Sequence, residues 1–386
     1  MPPSTFRALC ALATAGALSA LATPTARAVC AVHALHAFAA DGVDGTRPGD
    51  GLLLGGNGHL IGVTTGGGAF GHGTVFDLSP GGSETILHDF HDGPADGAGP
   101  TTPPAIAADG SLYGTTYFGG AHGHGAVYRL QLTGAFSLVH SFSADDGASP
   151  DSPLLAARDG ALYGTTLRGG SHDQGVLYRI TMSGAFELLH AFGAAGDLRH
   201  PAGPLVQARD GTIYGAGIDG GSEGAGGVFA CSPPGQGSRV LVSLRAQTDC
   251  GMPMSGVMQT RDGSLVGTGY VGGPLNAGCV FAVRPKGGLR VLHHFTGGDD
   301  GAQPASLPLP APQGRLLLTS SLGSTHGQGA LLALDVGDGV ATLLHAFGPD
   351  DVSMPSGGLV QGRDGKIYGT APEGGAHGQG GVFEAC

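Results

Sequence analysis

A two-residue turn signal recurs along this chain at an almost constant interval. Asn57-Gly58, Asp109-Gly110, Asp159-Gly160, Asp210-Gly211, Asp262-Gly263, Gln313-Gly314 and Asp364-Gly365 are spaced 52, 50, 51, 52, 51 and 51 residues apart. A fixed period of roughly 20–50 residues marks a repeat architecture, and seven units fill most of the 386-residue chain. The third unit shows the pattern most clearly. Leu154 to Arg158 is a short apolar run, and Asp159-Gly160 reads as a two-residue type I′ hairpin turn. Ala161 to Thr166, Val176 to Thr181 and Ala185 to Phe192 read as three further strands. A Gly-rich loop, 169–175, joins the second strand to the third. Four antiparallel strands per unit predict an all-β, seven-bladed propeller. A stacked solenoid is the competing arrangement, but its coils lack two consecutive tight hairpins.

Composition agrees. The chain has 76 glycines but no three-residue glycine period, which excludes collagen. Hydrophobic residues make up 41%, in short alternating runs, which argues against disorder. The formal charge is −12 with only 18 Lys and Arg, so nucleic acid and anionic membrane are poor partners.

The seventh unit stops after its third strand, at Cys386. The missing Leu-His-x-Phe strand stands at the other end, as Leu35-His36-Ala37-Phe38. The N-terminal strand is therefore predicted to complete the last blade and close the ring. Aligned on the second unit, Cys30 and Cys386 flank the turn this blade lacks, which predicts a Cys30–Cys386 disulfide. Of Cys231, Cys250 and Cys279, the last two fall near one rim and form the favoured second pair.

Residues 1–28 read as a secretory signal: Arg7, an apolar stretch over 8–22, then Ala26-Arg27-Ala28. Residues 29–386 are the predicted single propeller domain. No run is long enough for a typical membrane span, and the expectation is a secreted or periplasmic monomer.

The submotifs Leu112-Tyr113-Gly114-Thr115-Thr116, Gly119-Gly120, Gly125-Ala126-Val127-Tyr128 and Leu138 to Phe142 recur in fixed order. They resemble the GloVer tandem-repeat family of bacterial extracellular proteins. The resemblance implies propeller-like repeats and an extracellular location, and it carries no catalytic residues.

Long loops emerge on one face. Those between second and third strands carry His72, His122, His124, His172, His326 and His377, the candidate ligand-binding residues. Blades four and five have none there. The loops between blades add Asp92, Asp96, Asp145, Asp146, Asp197, Asp299, Asp300, Asp350 and Asp351. Imidazole with carboxylate could line a sugar groove or hold a metal; hydrogen bonding within each loop is the plainer alternative. A second series, His36, His88, His140, His190, His293 and His345 with Val242, lies in the outermost strands and reads as structural packing. So does the Tyr column Tyr113, Tyr163, Tyr214 and Tyr368, with Ile61, Val266 and Leu318 as substitutes.

No nucleophile elbow, phosphate loop or calcium ladder is present. No catalytic residue, cofactor or metal is implied. The reading is a binding or scaffold module for an extracellular glycan or surface protein. The alternative is a polysaccharide lyase or hydrolase using His and Asp on the loop face.

Overall fold

The computed structural model describes residues 31–232 and 237–386. The predicted signal segment and Cys30, with its bridge to Cys386, lie outside the described residues. The chain forms seven antiparallel sheets of four main strands, arranged as a seven-bladed propeller. Blade three comprises Leu155–Ala156, Leu162–Thr166, Val176–Ile180 and Phe186–Ala191, each paired with the next. The first strands face the axis, because the segments just before them, from all seven blades, line one axial cavity. Val32–Ala37 pairs antiparallel with Gly381–Ala385, so the N-terminal strand supplies the outer edge of blade seven. The two ends of the chain thus share one sheet, and blade seven has four main strands like the others.

The Asp-Gly hairpins differ from the type I′ expectation. Type I′ needs positive φ at both central residues. Gly160 has φ of 78°, but Asp159 is not left-handed. The Gly160 N–H donates to Ala157 O at 3.0 Å, and the Ala157 N–H to Ala161 O at 2.9 Å. This is a three-residue loop, a turn followed by a left-handed glycine. Asp159 is selected for its side chain, whose Oδ1 accepts the Ala161 N–H at 3.1 Å.

Seven apolar layers, one between each adjacent pair of blades, form the core of the described residues. Each layer needs large side chains from third strands, and the glycine of the second strand makes room for them. A Cβ at Gly164 would collide with the Tyr178 ring. Blade six solves the same problem differently. Leu318 pairs with Leu332, as Gly164 pairs with Tyr178. Leu318 therefore occupies the glycine column rather than the Tyr column, where Leu317 stands. Two leucines replace the glycine–aromatic pair.

A second device joins the blades on the loop face. Ahead of a proline in each blade stand Arg47, Gly99, Ser149, His200, Met252, Gln303 and Met354, with φ between 48° and 59°. Each donates its N–H to a carbonyl in the preceding blade's loop, at 2.8–3.0 Å. The acceptors are His72, His124, Gln174, Ala225, Ala277, Gln328 and Gln379. Left-handed backbone at a non-glycine costs on the order of 1–3 kcal/mol, and this ring of bonds holds it.

Candidate functional site

The six loop histidines lie on the rim and do not converge. His122, His124, His172, His326 and His377 are exposed, and His72 is half-buried. None lines either of the two cavities described below. His172 Nδ1 lies 3.0 Å from Ser171 Oγ, a contact within its own loop. His72 and His124 serve the blade-to-blade latch through their backbone carbonyls.

The outer-strand histidines do more than pack. His88, His140, His190, His293 and His345 place Nε2 at 3.2, 3.0, 2.8, 3.2 and 3.0 Å from Asp96, Asp146, Asp197, Asp300 and Asp351. An ionised carboxylate only accepts, so Nε2 carries the proton. The same carboxylates accept backbone N–H groups, such as Ser143 to Asp146 at 2.7 Å and Gly97 to Asp96 at 2.8 Å. Five of the nine loop carboxylates are thus committed to folding their own loops. Asp92, Asp145, Asp299 and Asp350 remain exposed. Burial is the largest influence on His140 and pulls its pKa below the ordinary value, which favours the neutral imidazole in that pair. Blade four has Val242 in this column. There the following loop is instead fixed by a disulfide, Cys250–Cys279, with Cα atoms 5.8 Å apart. Cys231 is buried and unpaired.

The axial mouth is a cavity of about 190 Å³. It holds Asp50 and Asp151, with Ser356 Oγ donating to Asp50 Oδ1 at 2.8 Å. Desolvation raises the pKa of both carboxyls, and the Asp50 charge adds to the effect on Asp151, which rises to about 6. The space is equivalent to roughly six waters at ~30 Å³ each.

A larger cleft of about 1140 Å³ opens on the opposite, tight-turn face, between blades five and six. Its position follows from two breaks in the repeat. In blades two and three, Phe136 and Phe186 stack on His88 and His140 of the preceding blade, at 3.9 and 4.2 Å. Blade six has Ala341 in that column, and blade five has Val266 where blades two, three, four and seven carry Tyr. This seam therefore faces two small side chains, Val266 and Ala341, and stays open. Val266, Leu292 and Leu316 line its floor, and the hairpins bring Arg261, Arg284, Arg290 and Arg315 to its walls. All four arginines are exposed. Among the described residues the Arg and Lys ion pairs lie elsewhere, at Arg129, Arg179, Arg245 and Lys366. Four guanidiniums without an ion-pair partner, with Asp262 beside them, give this cleft a positively charged lining over an apolar floor.

A propeller's channel mouth is an expected place for a site, but the residues lining either cavity do not stand out in the sequence. The signal existed in the columns that break the repeat, Val266 and Ala341, and in arginines placed on consecutive turns. Reading histidine alone missed it.

Comparison with solved structures gives the fold its relatives. A streptogramin B lyase is 10% identical, with a TM-score of 0.62, covering 92% of this chain and 97% of that one. A virginiamycin B lyase from Staphylococcus aureus is 10% identical, with a TM-score of 0.55 and coverage of 92% and 98%. The extracellular domain of a one-component system from B. thetaiotaomicron is 11% identical, with a TM-score of 0.58, covering 90% of this chain and 39% of that one. At such identities the likeness concerns the fold alone. No curated protein matches the chain. The repeat itself is matched over residues 14–158 and 104–314, and the chain belongs to the Gloeobacter/Verrucomicrobia repeat family.

Proposed function

We propose that this propeller is a non-catalytic binding module for an acidic polysaccharide, engaged through the cleft between blades five and six. The observation that carries this is the set of four unpaired arginines lining that cleft. A large concave site with an apolar floor and a few convergent polar groups is the usual form of a ligand site. Guanidinium pairs with carboxylate or sulfate in bidentate fashion, and sugar rings offer apolar faces to Val266 and Leu316. The Cys250–Cys279 disulfide supports an address outside the cytoplasm, where such bonds persist and such polymers occur. The test is retention on immobilised polygalacturonate against neutral dextran. Retention on the acidic polymer, lost in an Arg284→Ala/Arg315→Ala variant, supports the reading. Equal retention on both polymers contradicts it.

One observation favours a second reading. Asp50 and Asp151 share the axial mouth, and Asp151 holds its proton to about pH 6. A protonated carboxyl beside another carboxyl is the pairing used to cleave glycosidic bonds. Release of reducing ends during the same retention experiment, abolished by Asp151→Asn, would move the function to that face.

A further inference from the structure

The ring is closed at a seam that differs from the other six. In five blades the outer-strand histidine donates Nε2–H to an aspartate at 2.8–3.3 Å. At the closing seam His36 Nε2 stands 3.4 Å from Asp44 Oδ2 and 3.7 Å from Glu84 Oε2. It is buried and makes no hydrogen bond, and Glu84 Oε1 is likewise buried without one. The position of Glu84 is otherwise filled by Phe136, Phe186, Ser238, Leu289, Ala341 and Val32. Only here does a carboxylate face the histidine of the preceding blade. His36, Asp44 and Glu84 each offer one ligand atom, all within 4.8 Å of one another. They come from three elements: the N-terminal strand, the loop into blade one, and the outer strand of blade one.

We propose that His36, Asp44 and Glu84 form a binding site for a divalent transition-metal cation, zinc being the probe of choice, which pins the ring closure. The geometry fits. Zinc bonds of ~2.0–2.2 Å in a tetrahedron put ligand atoms ~3.3–3.6 Å apart, and the two measured separations from His36 are 3.4 and 3.7 Å. One imidazole and two carboxylates are a common donor set for such an ion, leaving a fourth position for water. In blade five His293 Nδ1 lies 2.9 Å from Gly339 O, and Gly82 holds the matching place in the turn beside His36. An imidazole whose Nδ1–H is held by a carbonyl presents its Nε2 lone pair to a metal, the usual orienting arrangement. The cation replaces the hydrogen bond that the other seams make, and it joins three elements where the others join two.

The experiment is zinc titration of the purified, EDTA-stripped protein by calorimetry, alongside Glu84→Phe and Glu84→Gln. Glu84→Phe restores the aromatic residue that blades two and three carry at this position, so it preserves the fold. Circular dichroism checks this for both variants. The proposal expects one equivalent bound by the wild type, a melting temperature raised by zinc and lowered by EDTA, and affinity at least tenfold weaker in both variants. No stoichiometric binding by the wild type overturns it. So does binding that persists in folded Glu84→Phe, which would assign the zinc to exposed histidines.

Discussion

Glycine in the second strand is explained by the ring it faces. Gly114 lies against Tyr128 as Gly164 lies against Tyr178, with no room for a Cβ. Gly114→Leu should therefore destabilise by ~1–3 kcal/mol through overpacking. Adding Tyr128→Leu recreates the Leu318–Leu332 pair of blade six and should recover part of that loss, measured by denaturant midpoints. A second prediction concerns Asp151. An ordinary aspartate loses its proton near pH ~3.9, whereas Asp151 keeps it to about 6. The folded state binds that proton more tightly, so this contribution to stability is present below pH ~4 and is lost as pH rises through 6. Asp151→Asn should remove this dependence, on the order of 1–2 kcal/mol between pH 4 and 7. Unfolding curves whose pH profile is the same in wild type and variant would contradict it. Of these residues the glycine was legible as part of a recurring motif. The carboxylates were not, because Asp50 and Asp151 come from different blades and meet only when the ring closes.

At the scale of strands and loops, the outer-strand histidine is a latch. Removing His140 leaves Asp146 Oδ2 without its donor, while Oδ1 keeps Ser143, so His140→Ala should cost ~1–3 kcal/mol. Retention on acidic polysaccharide should be unchanged, since His140 lies outside the cleft. Loss of retention in a folded variant would place this seam within the binding machinery. The loop after blade four depends on a disulfide that closes 29 residues of chain. The chain-entropy account values such a loop at ~3–4 kcal/mol, so reduction should lower the denaturant midpoint accordingly. A Cys250→Ala/Cys279→Ala variant should match the reduced protein and be insensitive to reductant. Element order and strand positions were legible because hydrophobic alternation and turn residues are local signals. The His–Asp latch was harder to read: its partners are six to eight residues apart, across a loop whose course only the structure gives. The hairpin type failed for a related reason. Asp-Gly suits two turn geometries, and the hydrogen bond from Gly160 to Ala157 decides between them.

Across the whole molecule, repetition builds the scaffold and departures from it build the sites. Seven near-equal units made the ring and its closure readable, since each unit cannot bury its faces alone. The proposed sites lie where the column pattern fails: Val266 and Ala341 flank a cleft, and Glu84 stands where the other blades carry an uncharged residue. Such departures look like drift in a sequence, and acquire meaning once the neighbouring blade is in place. The most direct test of the central claim is the affinity of the folded chain for polygalacturonate at low and high salt. Wild type and Arg284→Ala/Arg315→Ala should be compared in one titration series. The cleft account predicts at least a tenfold loss of affinity in the variant, and wild-type binding that weakens as salt screens the guanidiniums. Equal, salt-insensitive binding by both proteins would contradict it.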